Sequence, residues 1–172
     1  MKINLIEFFV KTVAENSQKT AVVDGAKNIT FGELDFKARL LAYLLLSECN
    51  CQNSPVALYL PKSINAVVGD IAITYSGNTY MNLDIKNPAE RISNILYLIQ
   101  PKAIITNNVY YKKIREIASD SIKIINIDEL SEEGTDIKES RVGDNVEVIY
   151  STFDELPERH KRVSEMVIER AK

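Results

Sequence analysis

Short apolar runs alternate with segments of helical periodicity along most of this chain. Residues 5–15 repeat apolar side chains at helical spacing, which predicts an amphipathic helix. Apolar runs at 21–23 and 29–31 flank Asp24-Gly25 and predict a β-hairpin, because glycine supplies the positive φ of a tight turn. Thr30, followed three residues later by Glu33, predicts the N-cap of a second helix that ends near Cys49.

The same alternation continues through the middle of the chain. It predicts strands at residues 56–60, 79–83, 103–106 and 123–127. It predicts helices between them, at residues 61–75, 88–99 and 109–118. Short apolar strands separated by helices are typical of βαβ units, so the predicted fold class is α/β, with a largely parallel sheet flanked by helices.

The last quarter of the chain begins with a polar stretch, residues 129–143, which is typical of a solvated loop. Residues 146–152 predict one more strand. Residues 154–172 predict a charged, amphipathic terminal helix with an apolar side made of Leu156, Val163, Met166 and Val167. We therefore expect one α/β unit over residues 1–152 and a terminal helix over residues 153–172.

Charge and hydropathy narrow the class of protein. Lys and Arg number 21 against 24 Asp and Glu, giving a net charge of -3, and the two signs are interspersed. No basic face for nucleic acid is therefore predicted. The longest wholly apolar run, Leu40 to Leu46, is too short to span a membrane, and the N-terminus has no pattern of a secretory signal. We expect a cytoplasmic protein without a membrane partner.

Several common kinds of site are excluded by residue spacing. The six glycines, at positions 25, 32, 69, 77, 134 and 143, lie too far apart for a dinucleotide-binding or Walker phosphate loop. The single histidine, His160, is flanked by charge, which favours a solvated side chain over a general base. Cys49 and Cys51 are not spaced as C-x-x-C, so free thiols are favoured over a redox pair or a metal site. We expect no catalytic, cofactor-binding or metal-binding residue, and an independent small enzyme ranks last.

Two segments share an order of residue types with a known family. The first is Ile29-Thr30-Phe31-Gly32-Glu33-Leu34, where a strand end runs into a helix. The second runs from Ala72 through Gly77, Tyr80 and Leu83-Asp84 to Pro88-Ala89-Glu90-Arg91. Together they resemble the first two core motifs of the adenylate-forming (AMP-binding) ligase superfamily, most closely the amino-acid adenylation domains of nonribosomal peptide synthetases.

The resemblance covers roughly residues 3 to 128, and its motif positions are typical of helix ends and sheet connections rather than of ligand contacts. A buried pair of Arg91 with Asp84 is one way to fix the corner after the second motif. The family-motif scaffold positions are Phe31, Glu33, Leu34, Gly77, Tyr80, Leu83, Asp84, Pro88, Glu90 and Arg91.

The chain also departs from the family pattern where ATP would be held. In the family, the strand after the polar stretch leads into a Ser/Thr/Gly-rich loop that ends in lysine. Here Ser151-Thr152 is followed by Phe153-Asp154-Glu155-Leu156-Pro157-Glu158, which has no glycine and repels a polyanion. The proline that usually precedes Leu-Asp is replaced by Asn82. ATP and magnesium are cofactors of the complete family, whereas we expect this chain to bind neither.

Two interpretations remain open. One is an N-terminal fragment of an acid-adenylating ligase that lacks the phosphate loop and the C-terminal domain and is inactive alone. The other is a free-standing, non-catalytic protein-interaction module in which the terminal helix covers the sheet edge or docks a partner. Either interpretation leaves apolar surface exposed, so we expect self-association or a protein partner.

Overall fold

The computed structural model describes residues 5–49 and 52–130. Its helices α1 to α5 are, in chain order, Leu5–Asn16, Phe31–Cys49, Ile64–Tyr75, Ala89–Ile99 and Asn108–Ile117. Its strands β1 to β6 are, in chain order, Thr20–Asp24, Lys27–Thr30, Pro55–Leu58, Thr79–Asn82, Ala103–Thr106 and Lys123–Asn126. A short 3₁₀ turn, Ile127–Glu129, follows β6.

Four strands form one parallel sheet in the order β4-β3-β5-β6. Leu58 of the central strand β3 lies opposite Asn82 of β4 on one side and opposite Ile105 of β5 on the other. Parallel strands need long crossover connections, and here α3, α4 and α5 provide them. The predicted α/β class, with a parallel sheet flanked by helices, is confirmed.

Strands β1 and β2 form a separate antiparallel hairpin, as predicted. Asp24 lies opposite Lys27, so the loop between them has two residues, Gly25 and Ala26. Gly25 has φ +61°, a conformation that costs glycine little because it has no Cβ. The Asp-Gly turn that the sequence predicts is therefore present.

Each face of the parallel sheet packs against its own hydrophobic cluster. The cluster under α2 and α3 includes Leu41, Leu45, Leu58, Ile73 and Ile105. The cluster under α4 and α5 includes Ala57, Tyr59, Ile92, Ile104 and Ile114. Burial of both faces explains why the strands appear in the sequence as continuous apolar runs rather than as alternating patterns.

The predicted elements within residues 5–130 are all present, and their ends differ from the predicted ends by at most two residues, except that α3 begins at Ile64, three residues after its predicted start. Strand β3, for example, ends at Leu58 rather than at Leu60, close to Pro61, which has no N–H to donate. The predicted strand at 146–152, the terminal helix and the boundary at residue 152 lie outside the described residues, as do Cys51 and His160.

In the part of the chain that the structure describes, no helix is both long and apolar enough to cross a membrane.

Candidate functional site

The first motif forms the junction between the hairpin and α2. The Thr30 hydroxyl accepts a hydrogen bond from the Glu33 N–H at 3.2 Å, and the Thr30 N–H donates to the Glu33 carboxylate at 2.9 Å. The bonds from the Thr30 N–H and hydroxyl favour the ionised form and hold the pKa of Glu33 below its usual value. Leu34 is buried in the core, and Phe31 is the first residue of α2. This reciprocal pattern is a capping box, as the sequence predicts.

The second motif opens at the C-terminus of α3. Gly77 has φ +70°, and its N–H donates to the carbonyl of Thr74 at 3.1 Å. The N–H of Asn78 donates to the carbonyl of Ile73 at 3.0 Å. These two bonds form a Schellman motif, which ends a helix with a residue in the left-handed region. Gly77 is the C-terminal stop of α3 that the sequence predicts.

Beyond β4 the second motif makes a turn into α4. The N–H of Leu83 donates to the carbonyl of Leu58 at 2.8 Å, and the Leu83 side chain is buried. Asp84 accepts from the N–H of Lys86 through its carboxylate at 2.9 Å and from the N–H of Asn87 through its carbonyl at 3.0 Å. Pro88 is the N-cap residue of α4. The Asp84 bonds close the turn locally, and the Leu83 bond ties it to β3.

The remaining motif residues face solvent. Tyr80 of β4 is 42% exposed, and Glu90 and Arg91 are exposed in the first turn of α4. A carboxylate in that turn is favourable because the N-terminal end of a helix carries partial positive charge. Asp84 is also exposed, so the prediction of a buried pair of Arg91 with Asp84 is wrong. The hydrogen bonds of Asp84 to the turn backbone fix this corner instead.

Ligands of open α/β sheets commonly bind where the strand order reverses, beyond the carboxyl ends of the strands. That position lies between β3 and β5. A polar network lies at the same, carboxyl edge of the sheet, beyond the end of β6. Asn126 donates to Asn108 and to Glu129 at 2.7 Å each. Asp128 accepts from the Asn108 N–H at 3.0 Å and from the Asn65 amide at 3.4 Å. The network joins the 3₁₀ turn to the first turns of α3 and α5.

The N-termini of both helices at this edge are capped by side chains. Ser63 accepts from the N–H of Ala66 at 3.3 Å, and Asn107 accepts from the N–H of Tyr110 at 3.2 Å. Free N–H groups at a helix N-terminus are what makes such an end bind anions. Among the described residues, no three His, Cys, Asp or Glu side chains are grouped to hold a metal ion.

A half-buried polar cluster ties α2 to α3 on the opposite side of the molecule. The Tyr75 hydroxyl donates to one oxygen of Asp35, and Arg39 donates to the other oxygen at 2.8 Å and to the Tyr75 hydroxyl at 3.3 Å. Burial and the bond to Asp35 raise the pKa of Tyr75. Sequence reasoning missed this cluster. The four-residue spacing of Asp35 and Arg39 on one helix face was an available signal, but nothing pointed to Tyr75.

Comparison with known proteins places these features in a family. The model of the family described as AMP-binding enzyme matches residues 9–166. A dimodular nonribosomal peptide synthase of Bacillus subtilis (strain 168) is 37% identical over 103 residues, 60% of this chain and 4% of that protein. Syringomycin synthase SyrB1 of Pseudomonas syringae pv. syringae is 29% identical over 126 residues, 73% of this chain and 20% of that protein.

A solved structure shows the same fold at lower identity. The o-succinylbenzoate coenzyme A synthetase of Bacillus subtilis, in complex with ATP and magnesium ion, matches with a TM-score of 0.67 and 18% identity. The match covers 76% of this chain and 35% of that one, so the chain spans only a small part of the proteins it resembles. The resemblance to amino-acid adenylation domains is confirmed, and the chain belongs to the family of AMP-binding enzymes.

Proposed function

We propose that this chain is the opening scaffold of a ligase that activates a carboxylic acid, such as an amino acid, as its acyl-adenylate. In the complete enzyme the cofactors are ATP and magnesium, as in the B. subtilis synthetase whose structure contains both. Residues 1–172 by themselves neither bind ATP productively nor catalyse adenylation. Their role is to form the first parallel sheet on which the rest of the catalytic domain is built, in the cytoplasm.

The observation that carries this proposal is what the motif residues do in the described part of the chain. Glu33 caps α2, Gly77 ends α3, and Asp84 and Pro88 shape the turn into α4. Their polar atoms bond to the neighbouring backbone or face solvent. That pattern supports a scaffold role for both motifs.

The chemistry of adenylation supports the proposal that residues 1–172 do not catalyse the reaction by themselves. A carboxylate attacks the α-phosphate of ATP, a P–O bond forms, and pyrophosphate leaves with the electron pair of the broken P–O bond. Such a step depends on cations and N–H donors placed around the phosphates. The sequence from Phe153 to Glu158 contains three carboxylates and no lysine, glycine or arginine. We therefore infer that the phosphate-binding groups must be supplied outside residues 1–172.

Isothermal titration calorimetry of the 172-residue protein with ATP and magnesium, and then with AMP, tests this proposal directly. We expect no saturable heat from a sample whose circular dichroism shows a folded α/β protein. Pyrophosphate exchange into ATP should equal the rate without protein for each of the proteinogenic amino acids. The B. subtilis synthetase, titrated with ATP in the same buffer, is the positive control. Saturable ATP binding or exchange by the short chain would overturn the proposal.

A protein-contact role is a second candidate, and one observation favours it. At the last turn of α4, Tyr97 and Leu98 are 77% and 78% exposed, and Ile99 beside them is 43% exposed. Together they expose apolar surface at one end of the helix, and exposed apolar patches are typical of contact surfaces. We propose that this turn mediates self-association or contact with a protein partner.

Light scattering across a concentration series tests this second candidate. We expect the average mass to rise with concentration in the native chain and to stay at 19.4 kDa in Leu98→Lys. Val109→Lys is the matched control, because Val109 is 75% exposed on α5 and gains the same charge. A native chain that stays monomeric, or an equal effect of both substitutions, would reject self-association through this turn.

A further inference from the structure

Helix α2 has apolar side chains on its outer side as well as on its inner side. Ala38 and Leu45 face the sheet and are fully buried in the cluster under α2 and α3. Leu40 lies on nearly the opposite side of the helix from Ala38, because two residues turn an α-helix by about 200°. Phe36 and Tyr43 flank Leu40 on this outer side and are 44% and 40% exposed. A helix that is apolar all round is typical of one that is buried on all sides.

The outer side of α2 has the features of a contact surface. Leu40 is 4% exposed, although in the part of the chain that the structure describes it belongs to neither of the two hydrophobic clusters. Leu44, four residues after Leu40, is half-buried and extends the same surface. We call Phe36, Leu40, Tyr43 and Leu44 the outer face of α2. Its buried leucine between partly exposed aromatic rings is what a segment lying across the middle of the face would produce.

The spacing of the outer face fits a helix as its occupant. Its residues lie three or four positions apart, which is the spacing by which two helices pack side by side. The apolar side predicted for the helix over residues 154–172 has the same spacing at Val163, Met166 and Val167, with Leu156 seven positions before Val163. Each surface therefore offers the other a row of apolar side chains of matching period.

The chain leaves its described part on the same side of the sheet. Leu130, the last described residue, packs against the cluster under α2 and α3. An extended chain spans roughly 3.3 Å per residue, so residues 131–153 reach up to about 75 Å. Helix α2 has 19 residues and is about 29 Å long. Residues 154–172 can therefore reach every part of the outer face.

Tethering favours this segment over a second copy of the chain. A segment joined to its binding surface by a flexible linker has an effective concentration on the order of 1 mM. A second copy in a dilute protein solution is present at a much lower concentration. The segment of the same chain is therefore the favoured occupant of the outer face.

We propose that residues 154–172 dock as a helix on the outer face of α2 of the same chain, with their apolar side over Leu40. The segment that follows Thr152 is then folded back onto the scaffold, and the outer face of α2 is closed to other proteins. This surface lies on the opposite face of the sheet from α4, so it is separate from the contact turn at Leu98. The docking does not depend on the adenylating function proposed above.

Hydrogen exchange of the full 172-residue chain, measured by mass spectrometry, tests the docking. We expect the amides of residues 154–172 to be protected in the native chain, equally at low and high protein concentration. Leu40→Lys and Val163→Lys should each speed their exchange by at least about ten-fold, the factor that loss of one buried apolar side chain gives. Lysine forms helices better than valine, so faster exchange in Val163→Lys reports lost docking rather than lost helix propensity.

Two controls separate docking from other effects of the added charge. Ile168→Lys gains the same charge in the same segment, but five residues place it off the apolar side that contains Val163, so exchange should not change. Exchange at the Ile104 and Ile105 amides of β5 should stay slow in Leu40→Lys, which shows that the sheet remains folded.

The methyl groups of Leu40 provide an independent measurement from the other side of the contact. A water-soluble paramagnetic probe should broaden their nuclear magnetic resonance signals little in the native chain and clearly more in Val163→Lys. Unprotected amides over residues 154–172, or protection that Leu40→Lys leaves intact, would overturn the proposal. Protection that rises with protein concentration would assign the outer face to a second copy instead. Leu40 signals that do not respond to Val163→Lys would show that α2 alone shields this side chain, and would also contradict the docking.

Discussion

Each face of the parallel sheet buries a tyrosine, but the hydroxyl groups of the two tyrosines have different surroundings. Under α2 and α3, Tyr75 is 2% exposed, and its hydroxyl bonds to Asp35 and Arg39. Under α4 and α5, Tyr59 is 0% exposed, and its hydroxyl is the buried side-chain polar atom of the described residues without a hydrogen-bond partner. A buried polar atom without a partner loses its bonds to water and gains nothing in return.

The contacts of the Tyr59 ring offset the free-energy cost of burying its hydroxyl without a partner. The Tyr59 ring meets the Tyr110 ring edge-on, with centroids 5.8 Å apart, and the Lys113 ammonium lies 5.7 Å from the ring centroid. Aromatic and cation–π contacts of this kind each contribute roughly 0.5–1.5 kcal/mol. The comparison shows that the tyrosine hydroxyl of one face is held by polar partners, whereas the tyrosine of the other face is held by contacts of its ring.

The largest expected effects come from removing apolar contacts on each face in turn. Ile104 and Ile105 are neighbours on β5, both are 0% exposed, and they belong to opposite clusters. We expect Ile104→Ala and Ile105→Ala each to lower the free energy of unfolding by about 2–5 kcal/mol, because each leaves a cavity. Urea denaturation followed by circular dichroism measures both. A loss below about 1 kcal/mol for one variant would mean that its face is loosely packed.

Removing the hydroxyl of one buried tyrosine should change the free energy of unfolding less, and the two faces should respond differently. Tyr75→Phe should lower the free energy of unfolding by about 1–2 kcal/mol, because Asp35 and Arg39 lose a buried hydrogen-bond partner. Tyr59→Phe should leave it unchanged or raise it by up to about 1 kcal/mol, because no bond is lost. The same denaturation experiment compares the pair. Equal losses in the two variants would show that the Tyr59 hydroxyl has a partner in solution.

The smallest effect is expected at the exposed end of α4. Leu98→Ser should change the free energy of unfolding by less than about 0.5 kcal/mol, because the side chain is 78% exposed and has little burial to lose. Measurement at low protein concentration separates folding from self-association. A loss of several kcal/mol would mean that Leu98 belongs to the core of the second face.

Much of the fold was predictable because its signals are local. The capping box at Thr30 and Glu33 and the stop at Gly77 each depend on a few consecutive residues, and both were predicted from sequence. The pairing of Arg91 with Asp84 was predicted wrongly, because nearness in sequence did not indicate that both side chains face solvent. The terminal helix, the boundary at residue 152 and the absence of catalytic residues stay predictions.

Within residues 5–130, the sequence by itself determined the elements, their order and the two buried faces of the sheet, and it identified the family, because these follow from hydrophobic period and short motifs. Only the tertiary structure decided which polar side chains meet. Asp35 reaches Tyr75 across 40 residues, and Asp70 reaches Asn82 across 12 residues and a change from helix to strand. Such contacts depend on how each helix is rotated and placed against its neighbours. That placement is set by the packing of the whole core, which no local pattern encodes.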